Sequence, residues 1–397
     1  MHLTTEFPPL VYGGLGTAVG GLAAASVRCG IEVAVFLVGE DGDPSYQRVA
    51  GREPAFGKAC RVLHGSDIRI LAASHFSAEE RGTRFVREWR PDVLHLHSFW
   101  LWPVAEAIRR RTGVPIVYTV HSLDRAEYEI GQGPPECLTQ WHIQESAVSR
   151  SDAVIALTSA ERSLIEEYLP GSWPRVHVVG NGIDVSNVPI SSLRCGKRNR
   201  EGVTILFSGR FVERKGLKEL LAALPHLLKH RPHVRVVLAG GYRGCGGEDL
   251  ARRWIGPELE PYRDRVHFPG WLDAEAMTAW YAKADILVVP SWYEPFGMVV
   301  LEGMLHGLAV AASDIGGPRE ILENGRTGLL FPPRDVIGLG EALARLVDSE
   351  PLRKRLGRAG AERVRQHWSY DNVVRDMTAV YSLSGRSGHK QSAMASM

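Results

Sequence analysis

Two glutamates, Glu294 and Glu302, lie eight residues apart in the stretch WYEPFGMVVLEGM, residues 292–304. Eight residues of α-helix advance about 12 Å and turn roughly 80° beyond two full turns, so these carboxylates cannot stand side by side as a paired general acid and base. Their separation favours two groups that hold opposite ends of one elongated ligand. Pro295 and Gly297 break regular structure between them, and we expect a helix to begin near Gly297.

That helix start would add hydrogen-bond donors to the site. The N–H groups of Gly297, Met298 and Val299 are expected to lack intrahelical acceptors, as in the first turn of any helix. Glu294 can then accept hydrogen bonds from ligand hydroxyls, and Glu302 suits a diol such as a ribose. The plain alternative is two first-turn glutamates that the helix dipole favours. These residues alone do not decide between the two interpretations.

Two cations occupy the segment SGRFVERKG, residues 208–216. Arg210 ends a predicted strand, and Lys215 opens the next predicted helix. Cations beside a helix N-terminus at the carboxyl end of a strand suit a diphosphate. The alternative is a solvated run of charges, which would include Glu213. Position as well as charge favours the anion site.

A glycine-rich turn, YGGLGTAVGG at 12–21, precedes an alanine-rich helix. A strand, glycines and a helix start can bind phosphate, but the dinucleotide pattern G-x-G-x-x-G fails because Val19 stands where its third glycine belongs. Two interpretations stay open. One is close packing of the helix on the sheet, and the other is contact of Gly13 and Gly14 with a phosphate or a sugar.

Two short patterns resemble metal sites. The strand DVLHLHS places His95 and His97 on one face, a spacing that metals also use, but no cluster of Cys, Asp or Glu lies nearby in sequence. Asp41 and Asp43 form a D-x-D pattern inside a cluster of Gly, Asp and Pro, where a turn is the better interpretation. We therefore expect no bound metal.

A third histidine, His121, closes the predicted strand PIVYTVHS. A polar segment with Ser122, Asp124 and Glu127 follows it. In open α/β sheets ligands bind at the carboxyl ends of strands, so His121 and this segment are candidates for an acceptor site. A purely structural histidine is the alternative.

These residues are placed by alternating strands and helices. The first series of strands ends in the turn VHVVGNGID, and a polar, basic segment follows before the alternation restarts at VTILFSGR. Two successive βαβ series predict an α/β protein with two Rossmann-like, doubly wound domains. The predicted parts are an N-terminal domain at 1–185, a linker at 186–202, a C-terminal domain at 203–362, a C-terminal helix at 363–383 and a disordered tail at 384–397.

Bulk properties agree with a globular protein of two or three domains. The chain has 397 residues, of which 44% are hydrophobic and 23% charged, with a net charge of +2. That balance does not call for a nucleic-acid partner. The five scattered cysteines, without a C-x-x-C pair, disfavour a disulfide framework or a structural zinc site, and a reducing cytoplasm fits best. No signal peptide or membrane-spanning run is visible, and peripheral membrane contact stays open. The first predicted strand begins within a few residues of Met1, so a start of the natural chain further upstream also stays open.

Taken together, four segments match one family in order and spacing. The EFPP…GG loop, NGID at 181–184, SGRFVERKG and the EPFG…LEG pair of glutamates resemble the GT-B retaining glycosyltransferases of the GT4 (glycosyltransferase group 1) family. This family includes sucrose synthases, bacterial glycogen-synthase-like enzymes and mannosyltransferases. The resemblance covers nearly the whole chain, and it implies two domains that face a cleft.

The resemblance also implies roles. Catalysis would involve Glu294, His121, Arg210 and Lys215. Arg210 and Lys215 would neutralise the diphosphate of a nucleotide-sugar donor, and Glu302 would hold the ribose. The remaining donor-side and cleft-facing groups would be Gly13, Gly14, Trp271 near the base, Glu294, and the backbone at Phe296, Gly297 and Met298. The reaction would retain anomeric configuration and need no metal or other cofactor, and the last helix would return to the first domain.

The acceptor is the least determined partner. The segment 121–141 is rich in acidic groups, which would suit a cationic polyol, and overall likeness to glycosyltransferases of aminoglycoside-antibiotic pathways points the same way. We therefore expect transfer of a hexosyl group, of glucose or N-acetylglucosamine type and UDP-linked, to a small hydroxylated acceptor such as the aminocyclitol 2-deoxystreptamine. The alternatives are a glycogen-synthase-like glucan glucosyltransferase and, from another class, a sugar-nucleotide epimerase or dehydrogenase.

Overall fold

The computed structural model describes residues 1–8, 11, 13–39, 60–63, 66–188, 202–242 and 245–394. The chain divides into two compact units. The first unit comprises Met1–Arg125, Pro134–Gly182 and Tyr370–Met397. The second unit comprises Ile183–Ser369 together with the short segment Ala126–Gly133. Each unit is built on one mostly parallel sheet.

The described part of the first unit has eight strands. They are β1 His2–Thr4, β2 Ala34–Gly39, β3 Cys60–Leu63, β4 Ser66–Ser74, β5 Leu94–Leu96, β6 Ile116–Val120, β7 Ala153–Ala156 and β8 Val176–Val178. The helices that the structure describes in its sequence range are α1 Gly14–Arg28, α2 Ala78–Trp89, α3 Trp102–Thr112, α4 Asp124–Glu129, α5 Glu136–Thr139, α6 Trp141–Arg150 and α7 Ser159–Tyr168. A further helix comes from the C-terminal end of the chain.

The order of strands in the first sheet is 3-4-2-1-5-6-7-8. Apart from the antiparallel pair β3–β4, neighbouring strands are parallel. The order reverses between β1 and β5, and doubly wound sheets bind ligands outside the carboxyl ends of the strands at such a point. His95 lies opposite His2 across this junction.

The second unit repeats the architecture. Its strands are β9 Val203–Arg210, β10 Val234–Tyr242, β11 Cys245–Gly246, β12 Val266–Gly270, β13 Ile286–Val289, β14 Ala309–Ser313 and β15 Leu329–Phe331. Its helices are α8 Leu217–His230, α9 Glu248–Ala251, α10 Ala274–Lys283, α11 Met298–Leu305, α12 Gly316–Ile321, α13 Val336–Asp348 and α14 Glu350–His367. Short 3-10 turns complete it, among them Glu213–Lys215.

The second sheet has the order 11-10-9-13-14-15, and β12 pairs with β10. Its order reverses between β9 and β13, which are parallel neighbours. Fully buried side chains of β9, β10 and β13 pack against α8 and α13 to form the core of this unit. The carboxyl ends of β9 and β13 therefore meet at the position where a ligand is expected.

The strands predicted at DVLHLHS, PIVYTVHS and VTILFSGR are β5, β6 and β9, and β9 has the bounds that were expected. The fold is therefore the predicted α/β type with two Rossmann-like sheets. Prediction missed the antiparallel pair β3–β4 and the helix α2. Asp273 caps α10, because its side chain accepts a hydrogen bond from the Ala276 N–H group.

The C-terminal end differs from expectation in two respects. The helix predicted at 363–383 is interrupted near Trp368, because α14 ends at His367 and a separate helix, α15 Tyr370–Met394, follows. Most of the tail predicted to be disordered continues α15, and 395–397 lie outside the described residues.

Helix α15 packs on the first unit, against α1 and the sheet. A Cβ at Gly21 of α1 would lie 1.9 Å from the Tyr370 Oη atom, and one at Gly182 would lie 2.5 Å from the Tyr370 ring. These glycines therefore permit the close approach of Tyr370. The glycine-rich start of the chain thus serves helix packing at Gly21.

Two predictions fall on parts of the chain that the structure does not describe. The turn at Asp41–Asp43 lies outside the described residues, and so do residues 189–201 of the linker predicted at 186–202. Within the described ranges, no helix is both long and apolar enough to cross a bilayer.

Gly216 gives a test of the strand-to-helix turn after β9. Its φ of 69° is left-handed, and a Cβ there would lie 1.9 Å from the Pro290 carbonyl oxygen. Gly216→Ala is expected to lower the free energy of unfolding by about 3 kcal/mol, because both the backbone strain and the overlap oppose folding. Urea unfolding measures this change.

Gly340→Ala is the matched control. Gly340 lies inside α13, and the nearest atom to an added Cβ is 4.0 Å away. Alanine is favoured over glycine in a helix interior by about 1 kcal/mol, so this variant is expected to be slightly more stable than the wild type. Equal stability of the two variants would contradict the assigned turn.

Candidate active site

The predicted cations and the first glutamate lie at the reversal point of the second sheet. Arg210 is the last residue of β9, and Lys215 ends the 3-10 turn that follows. Ser291 and Glu294 follow β13, the parallel neighbour of β9. The structure thus brings together two segments about 80 residues apart in sequence at one edge of one sheet.

Lys215 and Glu294 form a buried ion pair. The Lys215 Nζ atom lies 2.5 Å from Glu294 Oε2, and the Ser291 hydroxyl donates to the same oxygen at 3.1 Å. Burial raises the pKa of the Glu294 carboxyl, but the charges of Lys215 and Arg214 and these hydrogen bonds outweigh it and hold the pKa below its ordinary value. Glu294 is therefore an ionised carboxylate held in a fixed orientation.

The surroundings of Lys215 disfavour its charged form, whereas those of Glu294 favour the charged form. Burial lowers the pKa of Lys215; Glu294 counteracts that shift, whereas Arg214 and Arg210 add to it. Lys215 therefore lies near two further cations as well as beside the Glu294 carboxylate. An anionic ligand at this edge of the sheet would relieve the repulsion among them.

Arg214 is a member of this cluster that the sequence analysis missed. Its side chain is only 6% exposed, and its Nε atom donates to Glu127 Oε1 at 2.9 Å. Its carbonyl oxygen accepts the Trp292 N–H at 2.7 Å, which joins the two loops of the site. Glu127 was one of the acidic groups expected to suit a cationic acceptor, but it lies in the second unit and is paired with Arg214.

The turn between Glu294 and the next helix is held by glycines of α12. The Gly317 N–H donates to the Glu294 carbonyl at 2.9 Å. A Cβ at Gly317 would lie 1.7 Å from the Phe296 carbonyl oxygen, and one at Gly316 would lie 2.3 Å from the Glu294 carbonyl oxygen. The Gly-Gly-Pro sequence begins shortly after the end of β14, and it is a signal for this close approach that sequence reasoning missed.

The helix predicted to begin near Gly297 does so. Gly297 is its N-cap, with a φ of 93°, and α11 starts at Met298. Phe296 is buried. The structure thus places the backbone of Phe296, Gly297 and Met298 directly beside Glu294, at the start of a helix.

Glu302 lies on α11 and has a partner that the sequence did not reveal. The Tyr281 hydroxyl, from α10, donates to Glu302 Oε2 at 2.5 Å. Burial raises the pKa of Glu302, and this hydrogen bond opposes the rise. Tyr281 is itself buried and stacks on His306 at 5.2 Å between ring centroids. One oxygen of Glu302 is thus fixed by Tyr281, which orients the carboxylate.

Trp271 lies further along the same edge. It follows Gly270, the last residue of β12, and it is half-buried. Because β12 pairs with β10, and β10 with β9, Trp271 is two strands away from Arg210. The arrangement along this edge is an aromatic ring, then cations, then an ionised glutamate, then a helix start.

The other predicted residues belong to the first unit. Gly13 caps α1, and a Cβ there would meet no atom within 4 Å. Gly14 is exposed at the first position of α1. Space therefore remains around Gly13. Close packing accounts for the glycine at position 21 but not for the glycine at position 13.

His121 follows β6 and is half-buried, and its ring nitrogen Nε2 lies 3.1 Å from Nδ1 of His97. Burial lowers the pKa of His121 to about 4, so its imidazole is neutral at pH 7. His121 lines a small cavity of the first unit together with His97, Thr119, Asn181 and Tyr370. Sequence reasoning placed His121 at a strand end, which is where the structure has it.

Comparison with known proteins identifies the family. The model for glycosyl transferases group 1 matches residues 195–363, and the model for a glycosyl transferase 4-like domain matches residues 13–182. Glycogen synthase of Mycobacterium tuberculosis is 30% identical over 411 residues, which cover 98% of this chain and 96% of that protein. This chain is a group 1 glycosyltransferase.

Two further proteins are similar to this glycosyltransferase. Alpha-maltose-1-phosphate synthase of Mycolicibacterium smegmatis is 31% identical over 418 residues, 96% of this chain and 97% of that protein. The structure of Anabaena HepE in complex with UDP-glucose aligns with a TM-score of 0.72 at 20% identity, over 96% of this chain and 98% of that one. The last comparison shows a shared fold, which is GT-B.

These findings decide between the classes of function considered from sequence. The chain is a hexosyltransferase that uses a nucleotide sugar, so the epimerase or dehydrogenase alternative is not supported. The relatives support the glycogen-synthase-like alternative better than the aminocyclitol acceptor, and nothing in these comparisons supports an antibiotic pathway.

Proposed function

We propose that this glycosyltransferase moves a glucosyl group from a nucleoside diphosphate glucose to the end of an α-glucan, with retention of anomeric configuration. The observation that carries the proposal is the buried Lys215–Glu294 pair at the reversal point of the second sheet. The relationship to glycogen synthase over 98% of the chain supports a glucan as acceptor.

The second unit would bind the donor. Arg210 and Lys215 would neutralise the diphosphate, and the N–H groups at the start of α11 would add hydrogen bonds. Glu294, ionised and fixed by Lys215 and Ser291, would accept hydrogen bonds from the sugar hydroxyls. Glu302 would accept them from the ribose diol, and Trp271 would lie near the base.

The chemical step is departure of the diphosphate. The bond from the anomeric carbon to the diphosphate oxygen breaks, and the acceptor oxygen forms its new bond on the same face of the sugar. The acceptor proton passes to the departing phosphate oxygen. Lys215 and Arg210 would stabilise the negative charge that develops there, so the reaction is proposed to proceed without a metal ion.

The first unit would supply the acceptor side through His121. A neutral imidazole can donate one hydrogen bond and accept another, which suits a sugar hydroxyl. Gly14, which is exposed, and Gly13, which is half-buried, add backbone groups at the start of α1. Among the acidic residues after His121, Glu127 is neutralised by its ion pair with Arg214. This pairing weakens the case for a cationic acceptor.

A second acceptor class has its own support. The relationship to alpha-maltose-1-phosphate synthase, at 31% identity, favours a small phosphorylated glucose as acceptor. The two classes differ in product size and in product charge. A UDP-linked donor remains our expectation, and the shared fold with a protein bound to UDP-glucose agrees with it.

The test is release of nucleoside diphosphate from UDP-, GDP- and ADP-glucose in the presence of EDTA, each with glycogen, glucose 1-phosphate, 2-deoxystreptamine or no acceptor. Release that requires glycogen, with a lengthened glucan as product, would support the proposal. Release only with glucose 1-phosphate or only with the aminocyclitol would overturn the acceptor assignment. Loss of activity in EDTA that Mg²⁺ restores would contradict the metal-independent step.

Tyr281 gives a test of the ribose contact. Tyr281→Phe is expected to raise the KM for the donor about 10-fold and to leave kcat nearly unchanged, because the Glu302 carboxylate loses the hydrogen bond that orients it. Without that bond the pKa of Glu302 should rise further, so the KM defect should grow as the pH falls. Initial rates at several donor concentrations and pH values measure this effect.

Tyr262→Phe is the control for this change. Tyr262 is half-buried in the same unit, and its ring contacts Arg265, a contact that phenylalanine retains. Its kinetics should match the wild type. A KM for Tyr281→Phe that equals the wild-type value at every pH would remove Glu302 from donor binding.

A further inference from the structure

Three histidine rings of the first unit form a chain. The His2 Nδ1 atom lies 2.9 Å from Nε2 of His97, and the His97 Nδ1 atom lies 3.1 Å from Nε2 of His121. His2 is in β1, His97 follows β5 and His121 follows β6, and these three strands are neighbours in the sheet. His2 and His97 are 5% and 3% exposed, whereas His121 is half-buried.

From this chain we infer that His97, supported by His2, is a positioning residue that fixes the ring orientation and the tautomer of His121. The effect of His97 on glycosyl transfer rests on the function proposed above for His121. The effect of His97 on the orientation and tautomer of the His121 ring is independent of that function. His97 does not itself need to touch substrate.

The reason lies in the hydrogen-bonding capacity of imidazole. A neutral ring has one N–H donor and one acceptor nitrogen. His97 uses both nitrogens on other histidines, so the donors must all run in one direction along the chain. His121 therefore cannot change its tautomer unless His97 and His2 change with it. An isolated histidine in water has no such constraint.

His121 is also kept neutral, and burial is the cause. None of its three rings is hydrogen-bonded to a carboxylate among the residues that the structure describes. The ionisable groups packed nearest are the α-amino group of Met1, His95 of β5, and Tyr381 and Tyr370 of α15, and none of these is a carboxylate. Burial lowers the pKa of His2 to about 3 and that of His121 to about 4.

A metal site is the competing interpretation of this cluster. Ring nitrogens of His2, His95 and His97 all lie within 4.8 Å of one another. Both nitrogens of His95 are engaged, with Tyr381 and Thr119 at 2.7 Å each, and both nitrogens of His97 are engaged within the chain. A divalent ion would have to break these bonds in a buried place where no described residue offers an anionic ligand, which is unfavourable.

The hydrogen bond to His97 determines which nitrogen of His121 can meet a substrate. Its Nε2 atom is bonded to His97, and no other described residue hydrogen-bonds the ring. Nδ1 is therefore the nitrogen left for a substrate hydroxyl. If the ring turned or changed its tautomer, this nitrogen would present the wrong group, and the substrate would be held in an unproductive orientation.

Two substitutions at His97 separate positioning from mere packing. The amide of asparagine occupies the region of Nδ1, so His97→Asn retains a partner for His121 and loses the one for His2. The amide of glutamine reaches the region of Nε2, so His97→Gln does the reverse. We expect kcat to fall about 30-fold in His97→Gln with little change in KM, and less than about 5-fold in His97→Asn. His142→Gln, at an exposed histidine of the same unit, is the control.

The state of the ring is tested without any substrate. Nitrogen-15 NMR of histidine-labelled protein should show one tautomer of His121 in the wild type and in His97→Asn, with no titration from pH 8 to pH 5. In His97→Gln we expect a mixture of tautomers and a titration that moves towards pH 6.5. Zinc content after dialysis with one equivalent of zinc should stay near zero.

The outcomes separate the two proposals. Equal losses of kcat in His97→Asn and His97→Gln, or an unchanged His121 spectrum in His97→Gln, would overturn the positioning role. Binding of one zinc ion that His95→Gln abolishes would replace the chain by a metal site. Failure of every donor and acceptor pair would overturn the proposed function, while the spectra would still decide the role of His97.

Discussion

Replacing Glu294 by alanine is expected to lower kcat/KM for transfer by about 10³-fold or more. The carboxylate is ionised, buried and bonded to Lys215 and Ser291, so it is preorganised to hold donor hydroxyls. Its loss also frees the Lys215 ammonium to move away from the diphosphate position. Initial rates with the donor and acceptor pair found in the panel measure the effect.

The control for this variant is an exposed pair of the same type. Glu350 and Lys354 on α14 form an ion pair in which both side chains are more than half exposed. Glu350→Ala should leave the rate unchanged, because exposed pairs contribute little. Near wild-type turnover of Glu294→Ala would contradict the assigned site.

Folding must be separated from catalysis in this experiment. Removal of one partner from a buried pair costs about 3–5 kcal/mol, because the other charge stays buried without compensation. The double variant Lys215→Met, Glu294→Gln removes both charges and should recover most of the lost stability. It should remain inactive, and calorimetry with the donor should show that binding is weakened.

The first unit is expected to lose stability steeply as the pH falls below about 6.5. Burial lowers the pKa of His2 to about 3 and holds those of His95 and His97 well below the ordinary value, so these rings stay neutral when folded. In the unfolded chain they bind protons below pH 6.5. Each then destabilises the fold by about 1.4 kcal/mol per pH unit, or about 4 kcal/mol for the three.

Hydrogen exchange measured by mass spectrometry can resolve this effect unit by unit. Peptides from β5 and β6 should lose protection between pH 6.5 and pH 5, after correction for the intrinsic exchange rate, while peptides from β9 and β13 should change less. His97→Gln should reduce the dependence of the stability of the first unit on pH by the contribution of about one proton. A pH-independent protection of β5 and β6 would show that the histidines are not buried as neutral rings.

Several features of the site could be predicted from sequence because they depend on local signals. The apolar run VTILF followed by polar residues places Arg210 at the end of a strand, and Gly297 after Pro295 marks the start of α11. Two series of such strand and helix signals indicate two doubly wound sheets. The order of the four motifs was sufficient to indicate the family.

Other features are contacts between residues far apart in sequence. Glu127 meets Arg214, Tyr281 meets Glu302, and His2 meets His97. No periodicity or spacing in one sequence encodes these pairs, because each depends on how strands are ordered in a sheet or how one helix lies beside another. The antiparallel pairing of β3 with β4 was missed for a related reason, since the local hydrophobic pattern does not reveal which strands pair.

By itself the sequence determined the kinds of chemistry available and their places along the chain: cations and a helix start after one strand, carboxylates after another, and a histidine after a third. The tertiary structure decided which of these groups are buried together. Glu294 stays charged when buried because Lys215 lies beside it, whereas burial keeps His97 neutral and the neighbouring histidines add to that effect. A charge in a low-dielectric interior persists only where a neighbour stabilises it, and neighbours across a sheet are fixed by topology rather than by sequence distance.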